Sequence, residues 1–371
     1  MKRNSLSLLF LMLLCASCSP KQYALDDYVS EFPAAGSVKI LQLADMHWSW
    51  QSDLKRESEY IDALISLTGA DLAILTGDQV LGATKQTYLA LFDALDASSL
   101  QGYALAWGNH DEQGLYDPDF PTKEALSREK CLNKDLPGDA VYGDSNYVID
   151  LVGEDGKPWY ELFVLDSNKL NPEGYSMGYD VIHEDQIDWY ARMVGRAKLE
   201  NGETIPSLAF FHIGLWQWEY AYRLSRQADP LAYSDDPAFP GGIRAYSGEM
   251  HEESWEVPGL GETQVYCGYR DSGFFQKAEE LGSTKAMFVG HDHKNDFAAE
   301  YYLDESRADD PIALCYGLKS GDGLTYEPGH IGGNLITVSE GGSLSLQRAF
   351  LDYQDDGYQP EDLRLEAMFN E

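Results

Sequence analysis

The sequence has little positive charge. Its 371 residues include 27 Lys or Arg against 62 Asp or Glu, for a formal net charge of −35 at pH 7. A nucleic-acid-binding surface needs cations opposite the phosphate backbone, so we expect no nucleic acid among the partners. The acids are spread along the chain, which is typical of solvated loops. This balance does not exclude an anionic ligand, because bound metal cations can reverse the field of a site.

Cysteine is also scarce, with five in the chain. Cys15 and Cys18 lie near the N-terminus, and Cys131, Cys267 and Cys315 lie beyond it. None of the last three belongs to a C-x-x-C pair, which argues against a zinc ribbon. One disulfide among them is compatible with an oxidising compartment, and the sequence does not name its pair.

Long apolar runs are absent beyond the N-terminal segment. No stretch in that remainder of the sequence is apolar enough to cross a membrane. The N-terminal run, residues 6–14, follows Lys2 and Arg3. It is too short to span a bilayer and is typical of a signal-peptide core. The small residues directly before Cys18 resemble the lipobox of bacterial lipoproteins, so we predict that Cys18 is lipidated. There are two alternatives: the signal peptide is cleaved and no residue is lipidated, or Cys15 is acylated instead of Cys18.

These features predict the organisation of the chain and its location. We expect a lipoprotein signal peptide at 1–17, a tether at 18–36, a single domain at 37–351 with a cap insertion at about 215–263, and an acidic tail at 352–371. Several acyl chains together give stable anchoring to a membrane. The protein would therefore be held in a bacterial cell envelope, outside the cytoplasm, facing the periplasm or the surface.

The apolar pattern predicts an α/β fold. Strands at 38–44, 71–75 and 103–107 alternate with helices at 56–67 and 85–95, which favours parallel strands with right-handed crossovers. Further strands are expected at 146–151, 159–165, 207–211, 286–289, 297–302, 312–316, 335–338 and 344–348, with helices at 185–199 and 273–281. The chain shows no internal repeat.

Potential metal ligands follow five of the predicted strands. The groups are Asp45-Met46-His47, Gly77-Asp78, Gly108-Asn109-His110-Asp111, His212 and Gly290-His291-Asp292-His293. Ligand sites of α/β sheets gather beyond the carboxyl ends of the strands, so we expect these groups to meet. In Asp45-Met46-His47 an extended backbone places the carboxylate and the imidazole on one face.

The mixture of ligand types indicates the class of metal. Carboxylate, amide and imidazole together suit Zn, Fe, Mn, Ni or Co, and contain too much imidazole for Ca or Mg alone. The seven candidates are Asp45, His47, Asp78, Asn109, His212, His291 and His293. Seven ligands exceed the needs of one tetrahedral ion and favour two ions joined by a bridging carboxylate.

The order D-x-H, G-D, G-N-H-D, H, G-H-x-H resembles the calcineurin-like metallophosphoesterase superfamily, from about residue 38 to about residue 297. The blocks around Asn109, His212 and His291 are most similar to its purple-acid-phosphatase-like branch. The resemblance implies a four-layer α/β/β/α sandwich with two central mixed sheets. It also implies that the first ion is held by Asp45, His47, Asp78 and His293, and the second by Asn109, His212, His291 and the bridging Asp78.

The resemblance further implies a function. We expect a di-metal hydrolase of phosphate esters, a phosphomonoesterase or phosphodiesterase, with His110 as general acid and two divalent or mixed-valence ions, iron, zinc or manganese. A nucleotidase and a phospholipid head-group phosphodiesterase are alternatives. A surface-binding lipoprotein with a vestigial metal centre is the non-enzyme alternative, and it predicts the loss of at least one ligand. The sequence does not identify the substrate-binding residues.

One position departs from the family pattern. Purple acid phosphatases place an iron-binding Tyr three residues after the bridging Asp, where this chain has Leu81. We therefore expect no purple charge-transfer band and weaker stabilisation of ferric iron. Other superfamily members have an Asp there that orients the catalytic His, so the partner of His110 is unassigned, with Asp111 a candidate by proximity alone.

Several other residues have competing interpretations. The histidines at 183, 251 and 330 belong to no block and are left out of the site. The aromatic residues at 216, 218, 220 and 222 either line a pocket or pack the cap on the core. The Asp-Ser-Asn at 166–168 is either a site edge or a turn, and Asp292 fits a turn or a supporting role. The Gly-rich segment 317–323, with Lys319 and Ser320, lacks the spacing of a nucleotide-binding P-loop.

Replacing Cys18 tests the predicted anchor. Because the sulfur of Cys18 would carry an acyl chain, Cys18→Ser should move the protein from the membrane fraction to the soluble fraction. Cys15→Ser is the matched control and should leave the protein in the membrane fraction. Cell fractionation followed by immunoblotting measures both, and continued membrane association of Cys18→Ser would contradict the lipobox assignment.

Overall fold

The computed structural model describes residues 21, 23–138, 141–171, 178–352 and 359–369. The predicted signal peptide, which includes Cys15, and the predicted lipidation site Cys18 lie outside the described residues. Within the described ranges, every helix is too short or too polar to traverse a bilayer.

The described residues form strands and helices in alternation. The strands are β1 (Val29–Pro33), β2 (Ser37–Leu43), β3 (Leu72–Thr76), β4 (Gly102–Ala106), β5 (Tyr147–Val152), β6 (Pro158–Val164), β7 (Ser207–Phe210), β8 (Gly242–Ser247), β9 (Trp255–Val257), β10 (Gly261–Thr263), β11 (Thr284–Val289), β12 (Ala298–Tyr302), β13 (Ile312–Tyr316), β14 (Gly332–Ser339), β15 (Leu344–Phe350) and β16 (Arg364–Ala367). The helices are α1 (Leu54–Thr68), α2 (Lys85–Ala97), α3 (Phe120–Ala125), α4 (Glu184–Asn201), α5 (Trp216–Ser225) and α6 (Phe274–Leu281).

Most strands belong to two mixed sheets. The six-stranded sheet has the order β16-β15-β14-β2-β3-β4, in which β2, β3 and β4 are parallel. The eight-stranded sheet has the order β1-β5-β6-β7-β11-β13-β12-β8. The strands β9 and β10 form a separate antiparallel hairpin. The predicted series of parallel strands with helical crossovers at residues 38–107 is therefore confirmed.

The two sheets pack face to face, and helices cover their outer faces. The layer between them includes Ile40 and Ile74 from one sheet and Phe210 and Phe288 from the other, whose rings stack at 4.9 Å. Helices α1 and α2 cover the outside of the six-stranded sheet, and α4 and α6 cover the eight-stranded one. The central strands are buried on both faces, which explains their continuous apolar runs. The expected four-layer α/β/β/α sandwich is confirmed.

Helix α1 shows how the sequence sets these elements. Tyr60, Ile61 and Leu64 are buried at helical spacing against the six-stranded sheet. The Asp53 side chain accepts a hydrogen bond from the main-chain N of Arg56 and caps the start. The helix ends at Gly69, which has a left-handed φ of 64°.

The segments expected as tether and tail contain parts of the fold. In the first, β1 pairs in parallel with β5, and Phe32 is buried between the sheets. In the second, β16 pairs with β15, and Met368 is buried between the sheets. Both are edge strands with few inward side chains, so their composition resembles that of solvated chain. The folded domain extends beyond the expected 37–351 at both ends.

The segment expected as a cap is largely part of the main body. Helix α5 buries Trp218 and Ala221 against the eight-stranded sheet, and β8 is the edge strand beside β12. The β9–β10 hairpin is the part that stands apart from both sheets. The expected cap at 215–263 is therefore corrected to a helix, an edge strand and a hairpin. The thiols of Cys131, Cys267 and Cys315 are all free, so none of them forms the disulfide considered above.

Candidate metal centre

Five strand ends bring the predicted ligands together. Strands β2, β3 and β4 of one sheet and β7 and β11 of the other end at the same edge of the sandwich, and each predicted ligand lies within four residues of one of these ends. The structure brings together Asp45, His47, Asp78, Asn109, His110, His212, His291 and His293. The site therefore lies across the seam between the two sheets.

Asp45, His47, Asp78 and His293 form the first cluster, and their ligand atoms all lie within 4.8 Å of one another. His47 Nε2 is 3.7 Å from Asp78 Oδ2 and 2.9 Å from His293 Nε2. His293 Nε2 is 3.7 Å from Asp45 Oδ1. Two carboxylates and two imidazoles thus face one point, as the family resemblance implied for the first ion.

The second cluster consists of Asp78, His212 and His291, again with ligand atoms within 4.8 Å of one another. His212 Nε2 is 3.3 Å from Asp78 Oδ2, 3.1 Å from Asn109 Oδ1 and 3.2 Å from His291 Nδ1. Asp78 belongs to both clusters. The donor set therefore suits two ions with the Asp78 carboxylate between them.

The backbone of the ligands is held in an uncommon conformation. Asp45, His47, Asp78 and His291 have φ values of 51°, 52°, 51° and 76°. A side-chain-bearing residue in the left-handed region costs on the order of 1–3 kcal/mol, and such residues cluster at functional sites. Main-chain hydrogen bonds hold them: His291 N donates to both carboxylate oxygens of Asp45, at 3.0 and 2.9 Å. His110 N donates to Asp78 Oδ1 at 2.8 Å.

Hydrogen bonds on the far side of two rings fix which nitrogen faces the site. His212 Nδ1 lies 2.8 Å from the carbonyl of Thr76, and His293 Nδ1 lies 3.0 Å from the carbonyl of Thr325. Because a carbonyl only accepts, both Nδ1 atoms carry hydrogen, so in the neutral form of each ring the lone pair that points toward the carboxylates is that of Nε2. Lone pairs that converge in a buried space require a cation between them, so these residues fit metal ions.

Burial keeps three of the imidazoles neutral. It lowers the pKa of His47 and His291 well below the usual value and that of His293 to about 3. The charge of Lys319 adds to the decrease for His47 and His293. Since a metal ion binds the deprotonated ring, these three are ready to bind near neutral pH.

His212 and Asp45 behave differently without an ion. Burial lowers the pKa of His212, but the charges of Asp78 and Asp45 outweigh it and raise the pKa to about 10. Burial raises the pKa of Asp45 to about 7. These groups therefore hold protons near neutral pH, and binding of cations would release them.

His110 is oriented by Gln113, three residues later. Its Nδ1 is 2.8 Å from Gln113 Oε1, and Gln113 Nε2 donates to the carbonyl of Asn109 at 3.1 Å. The amide oxygen only accepts, so His110 Nδ1 donates and Nε2 faces the site, 4.0 Å from Asp78 Oδ2. The ring is 29% exposed, so an incoming ligand can reach it.

Asp111 is not the partner of His110, and this candidate is corrected. Its buried carboxylate accepts hydrogen bonds from the main-chain N of Asp78, Val80 and Gly108, at 3.0, 3.3 and 2.8 Å. It therefore fastens the loop after β3 to the loop after β4. A Cβ at residue 108 would overlap the Asp78 carboxylate, so this close approach requires glycine.

Ser167 and Asp292, whose roles the sequence left open, support the ligand loops. Ser167 Oγ accepts hydrogen bonds from the main-chain N of His212 and Ile213, at 3.2 and 2.9 Å, so segment 166–168 holds the loop after β7. Asp292 is buried, and the Tyr316 hydroxyl donates to it. Both positions act behind the ligands rather than among them.

Lys319 is a component of the site that the sequence did not reveal. It is 1% exposed, and its Nζ donates to the main-chain carbonyl of Asp45. Burial lowers its pKa to about 8, against the opposing charges of Asp45 and Glu57. The residue follows the end of β13, so the available signal was a sixth strand end that carries a cation instead of a ligand.

The four aromatic residues considered as pocket lining pack against the core of the eight-stranded sheet, with Trp218 and Tyr220 buried and Trp216 and Tyr222 partly buried. Trp218 is fully buried, and Trp216 Nε1 donates to the carbonyl of Gly268 at 2.8 Å. Tyr220 is 7% exposed and packs with α5 against the eight-stranded sheet, which Tyr222 also contacts. The packing interpretation therefore fits all four.

Three other aromatic residues stand beside the second cluster, and we call them the aromatic wall: Tyr179, Trp255 and Tyr266. The Tyr179 ring meets the His291 ring edge-to-face at 4.4 Å, and the Tyr266 ring is 6.4 Å from it. Trp255 stacks on Tyr266 at 4.9 Å with an interplanar angle of 11°. All three are partly exposed, so they form a ring-lined border of the site.

Comparison with known proteins agrees with this geometry. The model of the calcineurin-like phosphoesterase family matches residues 38–295, a span that contains every predicted ligand and His110. The chain is 25% identical over 350 residues to "Probable inactive purple acid phosphatase 14" of Arabidopsis thaliana, covering 84% of this chain and 77% of that protein. It is 27% identical over 310 residues to "Phosphatase DCR2" of Saccharomyces cerevisiae, covering 76% of this chain and 48% of that protein. The expected relation to purple-acid-phosphatase-like proteins is confirmed.

Solved structures are more distant. A dimetal phosphatase from Danio rerio shares 12% identity, with 91% of this chain and 99% of that chain covered and a TM-score of 0.49. The purple acid phosphatase PPD1 from yellow lupin seeds shares 9% identity, with 88% and 54% covered and a TM-score of 0.42. Both TM-scores are below 0.5, so the architecture is assigned from the sheet topology and packing given above.

Removal of metal should destabilise the protein. Ions that bind only the folded state stabilise it by about 2.7 kcal/mol at one hundred times Kd, which corresponds to a shift in Tm of several degrees. We expect chelation to lower Tm, zinc or manganese to restore it, and Asp78→Asn to weaken the response because both clusters lose their shared carboxylate. Asp309→Asn, at an exposed acid outside the clusters, is the control. Thermal unfolding measures this, and a wild-type Tm that does not change with chelator would contradict metal binding.

Proposed function

We propose a hydrolytic function from one premise: the chain belongs to the calcineurin-like phosphoesterase family. The protein would be a metal-dependent hydrolase of phosphate esters. The observation that carries the proposal is the sharing of Asp78 by two ligand clusters, with the partly exposed His110 beside them. Residues that would hold two cations thus surround one solvent-accessible space together with a proton donor.

Each residue has a defined part in the proposed reaction. Asp45, His47, Asp78 and His293 would hold one ion, and Asn109, His212 and His291 would complete the second site with Asp78. When bound, two such ions supply Lewis acidity, which favours ionisation of water and neutralises phosphate oxygens. The main-chain hydrogen bonds to Asp45 and Asp78 keep the carboxylates aimed at these positions without rearrangement.

His110 would act as the general acid. Gln113 holds the hydrogen of Nδ1, so the proton available for transfer is the one on Nε2, on the side of the site. Transfer of this proton to the departing alkoxide oxygen would allow the ester bond to break without expelling a strong base. A well-placed general acid contributes about 10²- to 10⁴-fold to the rate.

The retained ligand set supports the enzyme over the non-enzyme alternative. A vestigial centre predicts the loss of at least one ligand, whereas all seven predicted ligands are present and converge. The names of the relatives point both ways, since three are called probable inactive purple acid phosphatases and another is called a phosphatase. Measured turnover is therefore the deciding test.

Hydrolysis of an aryl phosphate monoester and of the matching diester tests the function. We expect metal-dependent turnover of one of them, abolished by chelator. His110→Ala should lower kcat by about 10²- to 10⁴-fold with unchanged metal content, because only the proton donor is removed. His183→Ala is the matched control, since that ring is also 29% exposed but lies at the start of α4. No metal-dependent turnover of either ester would overturn the proposal and leave the binding alternative.

The aromatic wall favours esters whose leaving group contains a ring, which includes the nucleotidase alternative. Tyr179 and Tyr266 approach His291, and Trp255 stacks on Tyr266. Flat rings of an aryl or nucleoside group can stack on such side chains, and base–aromatic stacking contributes about 1–3 kcal/mol per base. Trp255 Nε1 donates to the carbonyl of Val265 at 3.1 Å, so the indole is already fixed in position.

Trp255→Ala tests the ring preference. Loss of the stacking surface should raise KM for a nucleoside or aryl phosphate by about 5- to 100-fold while changing KM for a small alkyl phosphate little. Trp159→Ala is the control, because Trp159 is also partly buried but lies in β6, where its Nε1 donates to the carbonyl of Ala34. Equal changes for ring-bearing and alkyl esters would contradict a role in specificity.

We also propose that the domain is held close to a membrane surface. The support is the lipobox-like sequence before Cys18, together with a hydrogen bond from Lys21 N to the carbonyl of Gly138. The Tyr23 hydroxyl likewise donates to the carbonyl of Pro137. The chain therefore contacts the folded body three residues after the proposed lipidation site, which leaves little length for a tether.

A further inference from the structure

A third group of potential ligands lies outside the candidate metal centre. His251, Asp296 and His330 come from three separate segments, and their ligand atoms all lie within 4.8 Å of one another. None of them belongs to the five strand-end blocks. We call this group the third-ion site.

We propose that the third-ion site binds a divalent transition-metal ion of the zinc class. Two imidazoles and one carboxylate, with a fourth position left to water, are a donor set that zinc accepts in proteins. The proposal does not depend on hydrolytic activity, because it concerns only these three side chains.

The arrangement of Asp296 and His330 supports the site. Asp296 is 7% exposed, and its Oδ1 accepts a hydrogen bond from Glu249 N at 2.8 Å. Its Oδ2 lies 3.9 Å from His330 Nδ1, which is buried and has no hydrogen-bond partner. A buried polar atom without a partner is unfavourable, because it has lost its hydrogen bond to water. An ion between Oδ2 and Nδ1 would satisfy both atoms.

His251 closes the site on its solvent side. Its main-chain N donates to Asn295 Oδ1 at 2.8 Å, which places the residue beside Asp296. The His251 and His330 rings have centroids 5.4 Å apart at an angle of 69°, an edge-to-face arrangement instead of a stack. Because His251 is exposed, an ion can enter from solvent and be bound by this ring last.

Arg348 limits the affinity of the third-ion site. Its Nε is 3.8 Å from Asp296 Oδ2, but that nitrogen donates to the main-chain carbonyl of Asp296 at 2.9 Å. A second guanidinium nitrogen donates to Ser247 Oγ at 3.0 Å. The guanidinium is thus engaged elsewhere but still repels a nearby cation. The third-ion site should therefore bind more weakly than the candidate metal centre.

The third-ion site is connected to the first cluster. Asp296 follows His293 by three residues, and His330 shares a loop with Thr325, whose carbonyl fixes His293 Nδ1 at 3.0 Å. An ion bound to both Asp296 and His330 would tie together the two segments that orient His293. Occupancy of the third-ion site should therefore slow the loss of the ion held by His293.

Zinc titration of chelator-treated full-length protein tests the site. Calorimetry and elemental analysis should give three bound zinc ions for the wild-type protein, of which the third binds most weakly. The double variant His251→Ala/His330→Ala should bind two. His183→Ala, a histidine outside all three groups, should retain three. Wild-type protein with only two ions, or a double variant that keeps the weak third ion, would overturn the proposal. If the double variant fails to fold, the exposed single variant His251→Ala should still weaken the third ion by at least tenfold.

The coupling has its own measurement, independent of turnover. Chelator should release the tightly bound ions several-fold faster from His251→Ala than from His183→Ala, followed by the absorbance of a metal indicator. Equal release rates would overturn the coupling.

Discussion

The structure of the site depends on one constraint: the Asp78 carboxylate is buried between two sets of ligands and must be neutralised there. A buried carboxylate is costly unless it is paired or bound to a metal. Oδ1 is held by His110 N, and Oδ2 faces His47 and His212. Gly108 leaves space for this carboxylate, and Asp111 fastens the main chain of Asp78. Much of the local sequence thus serves to hold one charged group in place.

The same constraint explains why the overall charge is a poor guide to the ligand. The net charge of −35 belongs mostly to exposed acids, whose fields are screened within about 10 Å at ordinary ionic strength. Around Asp78, burial and the positive charge of Lys319 keep His47 and His293 neutral, so cations meet unprotonated nitrogen. An anionic substrate inside the site would then interact more strongly with bound cations than with the screened charges of the acidic surface.

Much of the fold could be predicted from the sequence because central strands are buried on both faces. The sequence segments that form β2, β3, β4, β7 and β11 are apolar, and each is followed by a ligand. The order of these strands and the positions of the ligands at their ends could therefore both be predicted. The edge strands β1 and β16 bury few side chains and gave no such pattern. The contact of Gln113 with His110 could have been predicted from the sequence, since Gln113 lies three residues after His110 in a turn. The role of Lys319 could not have been predicted in this way, because its contact with Asp45 joins residues 274 positions apart.

Leu81 and Lys319 together bear on the charge of the first ion. The first cluster offers two carboxylates, one of them shared, and the position where an iron-binding tyrosinate was considered is Leu81. An ammonium buried against the main chain of Asp45 adds positive charge beside the same cluster. Both changes reduce the negative charge available to a cation, and the penalty grows with the charge of the ion. If this cluster holds an ion as proposed, a divalent ion would be better matched to it than a trivalent one, which is the expectation that Leu81 alone had suggested.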